Sequence, residues 1–374
     1  MMLVWKCIQN PIAHTVMFTL LFSLATLIIL PPSPISASSP SVSALFAFGD
    51  STVDSGMNND LLPFVRCDHP PYGRDLPDHV PTGRYSNGKI ATDFMASNLG
   101  LKDLLPAYLD PKLTDYDLLT GVSFASGTCG LDDLTLELSH VYSMGDQLEY
   151  FDEAVVRMKI SVGEKKGREI VENALFVVSV GTNDLMLNVY EFPLTERKTQ
   201  FTSTDQYSDF LLQRLGSFIQ ALYSRGARRF MVAGLPPIGC LPLQQTLSGI
   251  INLRPQRLCV TQQNIDCQTY NSKLQALLSS LQTTLPLPSS RLVYFDIYNP
   301  IMDMYNNPDK YGFVHIHEGC CGTGMLELGP LCTELSRTCP DASKYLFWDA
   351  VHPTEAAFFV IADYAHKTVL QYLS

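Results

Sequence analysis

The sequence predicts an α/β protein, a three-layer α/β/α sandwich whose middle layer is a mostly parallel, five-stranded sheet. Five short apolar runs are continuous rather than alternating, which is typical of strands buried on both faces of a parallel sheet. Helical patterns lie between these runs, and strand–helix alternation is characteristic of this architecture. The five predicted strands are 44–48, 121–125, 174–180, 229–233 and 291–295.

Apolar residues recur at helical spacing between the strands. Positions 90, 91, 94, 95 and 99 are apolar and predict a helix over 89–99. Ser203 and Thr204 are cap candidates for a helix over 205–223, because a hydroxyl can accept a backbone N–H. The other predicted helices are 146–162, 259–285 and 355–373. Segments rich in Pro, Gly and Cys are expected to be loops held by disulfides: 60–85, 235–258 and 305–347.

Length and composition indicate one large, acidic domain. The chain has 374 residues, of which 46% are hydrophobic, and shows no internal repeat or linker after about residue 43. We therefore expect a single domain over 38–374. The formal net charge of -11 argues against nucleic acid or an anionic membrane surface as a partner.

Residues 1–37 are predicted to be a secretory signal peptide. Lys6 and His14 precede an uncharged run over 16–30, prolines then break the helix, and residues 35–37 resemble a cleavage site. The alternative is a membrane anchor, because 12–30 is nearly long enough to span a bilayer. With the leader removed, we expect a secreted protein without stable membrane insertion.

Cysteine usage agrees with export. Cys7 would leave with the leader, and the nine cysteines that remain of ten would be used largely as disulfides, with at least one left over. One cysteine-bearing segment also has the residue types of a metal site. Adjacent cysteines in an exported chain favour disulfides instead, so we predict no metal. The segment contains His315, His317, Glu318, Cys320 and Cys321.

Three of the predicted strands end in residues suited to chemistry. Ser51 follows the first strand, Gly127 follows the second and Asn183 follows the third. Sites in open α/β sheets form outside the carboxyl ends of the strands. One crevice would therefore contain a hydroxyl, a glycine N–H and a side-chain amide.

Ser51, His352 and Asp349 are the candidate catalytic triad. A serine hydroxyl is a poor nucleophile without an adjacent base, which His352 would supply. Asp349, three residues before it, would orient the imidazole and fix its tautomer. The alternatives are a helix-capping role for Ser51 and a structural or exposed position for His352.

Acyl hydrolysis also needs donors for the developing oxyanion. Gly127 could offer a backbone N–H that no side chain blocks, and Asn183 could offer its amide. The alternatives are a turn glycine with positive φ and a turn asparagine.

Seven motifs carry a resemblance to a known family. The chain lacks Gly-x-Ser-x-Gly, which excludes an ordinary nucleophile-elbow hydrolase. Over residues 44–374 it resembles the plant GDSL esterase/lipase family, within the SGNH hydrolases. The motifs, in the family's order, are FGDS with Asp54 (48–54), GRYSNGK (83–89), FASG (124–127), GTND (181–184), GLPPIGC (234–240), CCGTG (320–324), and FWD followed by HPTE (347–355).

The resemblance implies a flavodoxin-like form of the fold and a role for each site residue. Ser51 would be the nucleophile and, through its N–H, an oxyanion donor together with Gly127 and Asn183. His352 would be the base and Asp349 its partner, with no cofactor.

Disulfide pairing also follows in part from the resemblance. It implies Cys240–Cys259, and it pairs Cys320 or Cys321 with Cys332 or Cys339. Apart from the resemblance, we expect Cys67–Cys129 as a further pair and Cys267, on a helical stretch, as a free thiol.

We therefore predict a secreted, extracellular serine carboxylic-ester hydrolase, located in the cell wall or apoplast if the source is a plant. Its substrate would be a small-molecule, lipid or polyester ester, and the protein would be a monomer. One alternative is an acyltransferase that uses the same acyl-enzyme. Another is a binding protein on this fold that has lost its chemistry.

Overall fold

A four-stranded parallel sheet forms the centre of the protein. The computed structural model describes residues 42–191, 196–253, 257–285, 290–370 and 373, so the predicted leader lies outside the described residues. The strands stand in the order β1-β2-β3-β4, and in-register pairs such as Leu45 with Leu175 join them. They are β1 (Leu45–Gly49), β2 (Leu175–Ser179), β3 (Arg229–Ala233) and β4 (Arg291–Phe295).

The fifth predicted strand, 121–125, runs parallel to β1 without forming a regular ladder. Ala47 donates to the carbonyl of Val122, and Phe124 donates back to the carbonyl of Ala47. Ser123 also pairs on its other side with residues 106–108, so it bridges two neighbours. The predicted segment thus lies between β1 and residues 106–108 and bonds to both without forming a regular ladder with either.

Helices cover the sheet, and the five predicted helices are all confirmed with slightly different bounds. Ser203 caps the helix Thr204–Ser224 as predicted, by accepting the Gln206 N–H at 3.2 Å. The described helices are α1 (Ala91–Asn98), α2 (Asp115–Leu118), α3 (Asp133–Ser139), α4 (Met144–Val162), α5 (Glu164–Asn173), α6 (Thr182–Leu185), α7 (Glu196–Gln200), α8 (Thr204–Ser224), α9 (Pro242–Ile251), α10 (Thr261–Thr284), α11 (Tyr298–Asn306), α12 (Pro308–Tyr311) and α13 (Glu355–Thr368). A π-helix over Met186–Glu191 continues α6.

The two faces of the sheet bury different side chains, which confirms the predicted three-layer sandwich. On one face, Phe46, Phe48 and Phe176 pack with Phe151 of α4 and Phe218 of α8 at ring-centroid distances of 5.4–6.2 Å. On the other face, side chains from β2, β3 and β4 line a cavity together with α1 and α13. Strands buried on both faces explain the continuous apolar runs in the sequence.

Two of the expected loops contain regular structure. The segment 235–258 includes α9, which begins at Pro242; the fixed φ of proline suits the first helical position, so this proline is not a loop signal. The segment 305–347 includes a second, two-stranded parallel sheet. Its strands are β5 (His315–Gly319) and β6 (Tyr345–Phe347). The sequence of β5 is polar, so no apolar run predicts this strand.

Three disulfides are present among the described residues. Cys240–Cys259 is confirmed, and the second group resolves into Cys320–Cys339 and Cys321–Cys332. The expected Cys67–Cys129 pair is wrong, because both thiols are free and buried in different surroundings. Cys67 lies near Tyr72, whereas Cys129 lies near Gln147 of α4. Cys267 is free, as predicted.

Across the part of the chain that the structure describes, no helix combines the length and apolar character needed to cross a bilayer.

Candidate active site

Ser51, His352 and Asp349 form one hydrogen-bonded series at the carboxyl end of β1. Ser51 Oγ lies 2.8 Å from His352 Nε2, and His352 Nδ1 lies 2.8 Å from Asp349 Oδ2. The Asp349 side chain is fully buried, whereas Ser51 retains 7% exposure and lines a cavity. A buried carboxylate on Nδ1 keeps the proton on that nitrogen, so Nε2 faces the serine as an acceptor.

Ser51 lies in a tight turn, which we call the nucleophile turn (residues 49–57). Gly49 has φ 130°, and a Cβ there would lie 1.8 Å from the Ser179 carbonyl oxygen, so only glycine fits. Asp50 Oδ1 accepts the N–H and hydroxyl of Thr52 at 3.0 and 2.7 Å. Burial raises the pKa of Asp50 to about 6. Within the described residues, the Ser51 N–H donates to no protein acceptor, so it is free for a ligand.

Asp349 and His352 lie in a second turn, the base loop (residues 347–352). Asp349 Oδ1 accepts the backbone N–H groups of Val351 and His352 at 2.8 and 2.7 Å. The Trp348 N–H donates to the His352 carbonyl at 2.7 Å and closes the turn. Asp349 Oδ2 also accepts the Tyr72 hydroxyl at 2.8 Å. These bonds orient the carboxylate, and the carboxylate in turn orients the imidazole.

Asn183 is the second residue of the short helix α6, which follows β2, and it lines the same cavity as Ser51 and His352. Its amide nitrogen donates to the Cys129 carbonyl at 3.0 Å. That bond uses one of two amide hydrogens, which leaves the second for another acceptor.

Gly127 differs from the sequence prediction in its hydrogen bonding. Its N–H donates to Asp54 Oδ2 at 2.8 Å instead of pointing to an open position. Asp54 also accepts the N–H groups of Gly56 and Met57, and burial raises its pKa to about 7. A Cβ on Gly127 would lie 2.0 Å from the hydroxyl oxygen of Tyr85, so the position still requires glycine.

An apolar cavity extends from Ser51 and His352 between the sheet, α1 and α13, and about 70 Å³ of it can hold the centre of a water molecule. Asn183 and Thr182 supply polar groups to its lining, and most of its walls are hydrophobic. The apolar lining includes Met95, Phe295, Ile301, Phe347, Phe358 and Ile361.

The alternative metal segment supplies no side chain to this site. Cys320 and Cys321 are both oxidised, His315 pairs with Glu318 at 2.7 Å, and His317 bonds to Tyr305 at 2.9 Å. Within the described ranges, no group of three or more His, Cys, Asp or Glu side chains is arranged to hold a metal ion.

The sequence predicts no role in the site for four residues that lie around it. Asp54 and Tyr85 lie within two of the family-like motifs, which is a signal that could have identified them. Gln147 exchanges two hydrogen bonds with the backbone of Gly49, at 2.8 and 2.9 Å, and only its position on a helix near β1 hints at that role. Tyr72 gives no sequence signal beyond its place in a Pro-Pro-Tyr-Gly turn.

Comparison with known proteins places these features in a family context. A family model described as GDSL-like Lipase/Acylhydrolase matches residues 45–365. One GDSL esterase/lipase of Arabidopsis thaliana is 50% identical over 329 residues, which cover 87% of this chain and 90% of the relative. A second, from the same plant, is 42% identical over 365 residues, covering 97% and 99%.

Proposed function

Because the chain belongs to the family of GDSL lipases and acylhydrolases, which act on ester bonds, we propose that it hydrolyses carboxylic esters through an acyl-enzyme on Ser51. The observation that carries the proposal is the unbroken series Ser51–His352–Asp349, with 2.8 Å at each step. In that series the base is within reach of the nucleophile's proton and is itself oriented by a third group.

The reaction follows from these contacts. His352 Nε2 removes the hydroxyl proton as Ser51 Oγ attacks the ester carbonyl carbon, and the carbonyl oxygen becomes an oxyanion. The tetrahedral intermediate collapses, the C–O bond to the alcohol breaks, and the imidazolium protonates the departing oxygen. A water molecule, deprotonated by the same imidazole, then attacks the acyl-enzyme and releases the acid and Ser51.

The proposed oxyanion donors are the Ser51 N–H and the second amide hydrogen of Asn183. Two observations support this assignment. Among the described residues the Ser51 N–H has no protein acceptor, and the Asn183 amide uses one of its two hydrogens, on the Cys129 carbonyl. Gly127 is the third proposed donor. Since its N–H bonds to Asp54, it would contribute by sharing that hydrogen between the carboxylate and the oxyanion.

The cavity supports an ester with an aliphatic acyl group as the substrate. Its walls are almost entirely hydrocarbon, so each methylene of a chain placed there would leave water at a gain of about 0.8 kcal/mol. An acyl chain attached to Ser51 can enter it directly, because Ser51 is one of the residues that line it.

We also propose that the protein is exported as a single 38–374 domain and acts as a monomer outside the cell. The leader-like composition of 1–37 and three disulfides in the mature part support this proposal.

A series of model esters of increasing acyl length, assayed with purified protein, tests the function. We expect kcat/KM to rise with chain length until the cavity is full, and a fluorophosphonate to label wild-type protein but not Ser51→Ala. Met95→Trp should reduce kcat/KM for long esters by about tenfold and leave the acetate ester unchanged, because it fills the cavity. No labelling of folded protein would contradict the proposal, and ester formation with an added alcohol would indicate the acyltransferase.

A further inference from the structure

Tyr72 joins the Asp349 carboxylate to a distant part of the chain. Its hydroxyl donates to Asp349 Oδ2 and accepts the Gly329 N–H, each at 2.8 Å, and its side chain is 1% exposed. Burial and the Asp349 charge raise the pKa of Tyr72 well above its ordinary value. The hydroxyl therefore keeps its proton and remains a donor to the carboxylate.

Gly329 belongs to a doubly cross-linked segment, the disulfide loop (residues 320–339). Cys320–Cys339 closes this loop and Cys321–Cys332 lies inside it. The disulfide loop also holds the backbone of the base loop: Cys320 and Cys321 donate to the carbonyls of Phe347 and Trp348, and Ala350 donates to that of Glu327, at 2.8–3.0 Å. Among the described contacts, Tyr72 is the one residue that connects the disulfide loop to the Asp349 carboxylate.

Tyr72 and His352 bind the same carboxylate oxygen. Asp349 Oδ2 lies 2.8 Å from His352 Nδ1 and 2.8 Å from the Tyr72 hydroxyl. We propose that Tyr72 is a positioning residue for the reaction, which fixes the oxygen that orients the imidazole and connects it to the disulfide loop. This inference rests on the proposed function, since it assigns a role to Tyr72 through His352.

Other ionisable groups surround this pair. Burial raises the pKa values of Cys67 and Tyr85 well above their ordinary values, so both are neutral near pH 7. The remaining neighbours are His69 against the Tyr72 ring, Arg74 over the Trp348 ring, Asp54 near Cys67 and Asp50 near His352. A test must therefore isolate the Tyr72 hydroxyl, and a single-atom deletion does so.

Tyr72→Phe removes that oxygen, and Tyr207→Phe is a matched control. Tyr207 is also 1% exposed, donates at 2.8 Å to a buried carboxylate, Asp132, and accepts one donor, Asn188 Nδ2, at 2.8 Å. Both variants should lose similar thermal stability, because each loses an equivalent buried bond. A purely structural role for Tyr72 therefore predicts that the two variants behave alike.

We expect Tyr72→Phe to lower kcat about tenfold with KM unchanged, the size associated with a hydrogen bond to a charged group. The acidic limb of the pH profile of kcat/KM should move to higher pH in Tyr72→Phe. Without the Tyr72 hydroxyl, the Asp349 carboxylate attracts the protonated His352 imidazole more strongly, so His352 loses its proton at a higher pH. Tyr207→Phe should change neither. A Cys321→Ala/Cys332→Ala variant retains Tyr72 but loosens Gly329. It should move the acidic limb of the kcat/KM profile to higher pH as well, by a smaller shift than Tyr72→Phe.

Identical kcat and pH profiles for Tyr72→Phe and Tyr207→Phe would overturn the proposal, as would an unmoved limb in the cysteine variant. A second readout does not depend on ester turnover: the downfield ¹H resonance of the His352 Nδ1–H should shift in Tyr72→Phe and stay in place in Tyr207→Phe. A wild type without esterase activity but with this shift would refute the proposed function and leave the positioning contact standing.

Discussion

The two halves of the site share one kind of support and differ in another. In the nucleophile turn the buried carboxyl groups of Asp50 and Asp54 accept backbone N–H groups, and in the base loop Asp349 does the same. The base loop is held in addition by backbone bonds to a segment closed by two disulfides. A reductant should therefore weaken the base loop more than the nucleophile turn, although the proposed chemistry needs both.

The largest effect should come from removing either half of the proposed triad. Ser51→Ala and His352→Ala should each lower kcat by about 10⁴-fold or more, and the double variant should lose little beyond that, because such residues act as a unit. Ester turnover under saturating substrate measures this. The free energy of unfolding of Ser51→Ala should change by less than about 1 kcal/mol, and a large loss of stability would instead make Ser51 structural.

Asn183 follows β2, the strand next to β1, and lines the same cavity as Ser51. Asn183→Ala should reduce kcat by roughly 100-fold, the cost of one oxyanion donor, with a smaller change in KM. Steady-state kinetics on a model ester separates the two parameters. A change confined to KM would assign Asn183 to substrate binding in the ground state.

Two disulfides of equal span test the base half. Cys320–Cys339 and Cys240–Cys259 each separate by 19 residues, so removing either pair should cost a similar stability, about 3 kcal/mol. Only Cys320→Ala/Cys339→Ala should also lower kcat several-fold, because Cys320 bonds to the base loop. Thermal melts and kinetics check both, and Trp348, the one tryptophan of residues 38–374, should change its emission with the same pair. Equal kcat values for the two double variants would contradict the division into halves.

The smallest effect concerns pH. Burial raises the pKa of Asp54 from 3.8 to about 7, so the folded protein keeps a proton that the unfolded chain loses between these values. The contribution of Asp54 to the free energy of unfolding is therefore full below about pH 4 and falls as pH rises to about 7. Asp54→Asn cannot ionise, and urea unfolding at several pH values should show a flatter decline. If the free energy of unfolding of Asp54→Asn falls with pH as steeply as that of the wild type, Asp54 does not cause the decline.

The sequence predicts the layers of the fold better than the contacts within the site. Burial on both faces makes the sequences of β1 to β4 continuously apolar, and burial on one face gives the long helices apolar residues at helical spacing. Both patterns can be recognised in the sequence. The half-buried strand β5 and the proline-initiated α9 leave no such trace. Ser51 and Asn183 line one cavity because the carboxyl ends of β1 and β2 converge, which topology alone makes predictable.

Other parts of the site depend on contacts between residues far apart in the chain. The capture of the Gly127 N–H by Asp54 and the contact of Tyr72 with Asp349, across 277 residues, arise only when loops pack. No local spacing encodes them. The wrong Cys67–Cys129 pairing has the same origin, since pairing is set by proximity in the folded chain.

The separation of 301 positions between Ser51 and His352 has a consequence for biosynthesis. A ribosome delivers the proposed nucleophile long before the proposed base, and α13 must also emerge before it can cover the cavity beside α1. A nascent chain, or one terminated before His352, would therefore possess an intact Ser51 with no partner. Translation itself would keep the protein inert until His352 and α13 have been made.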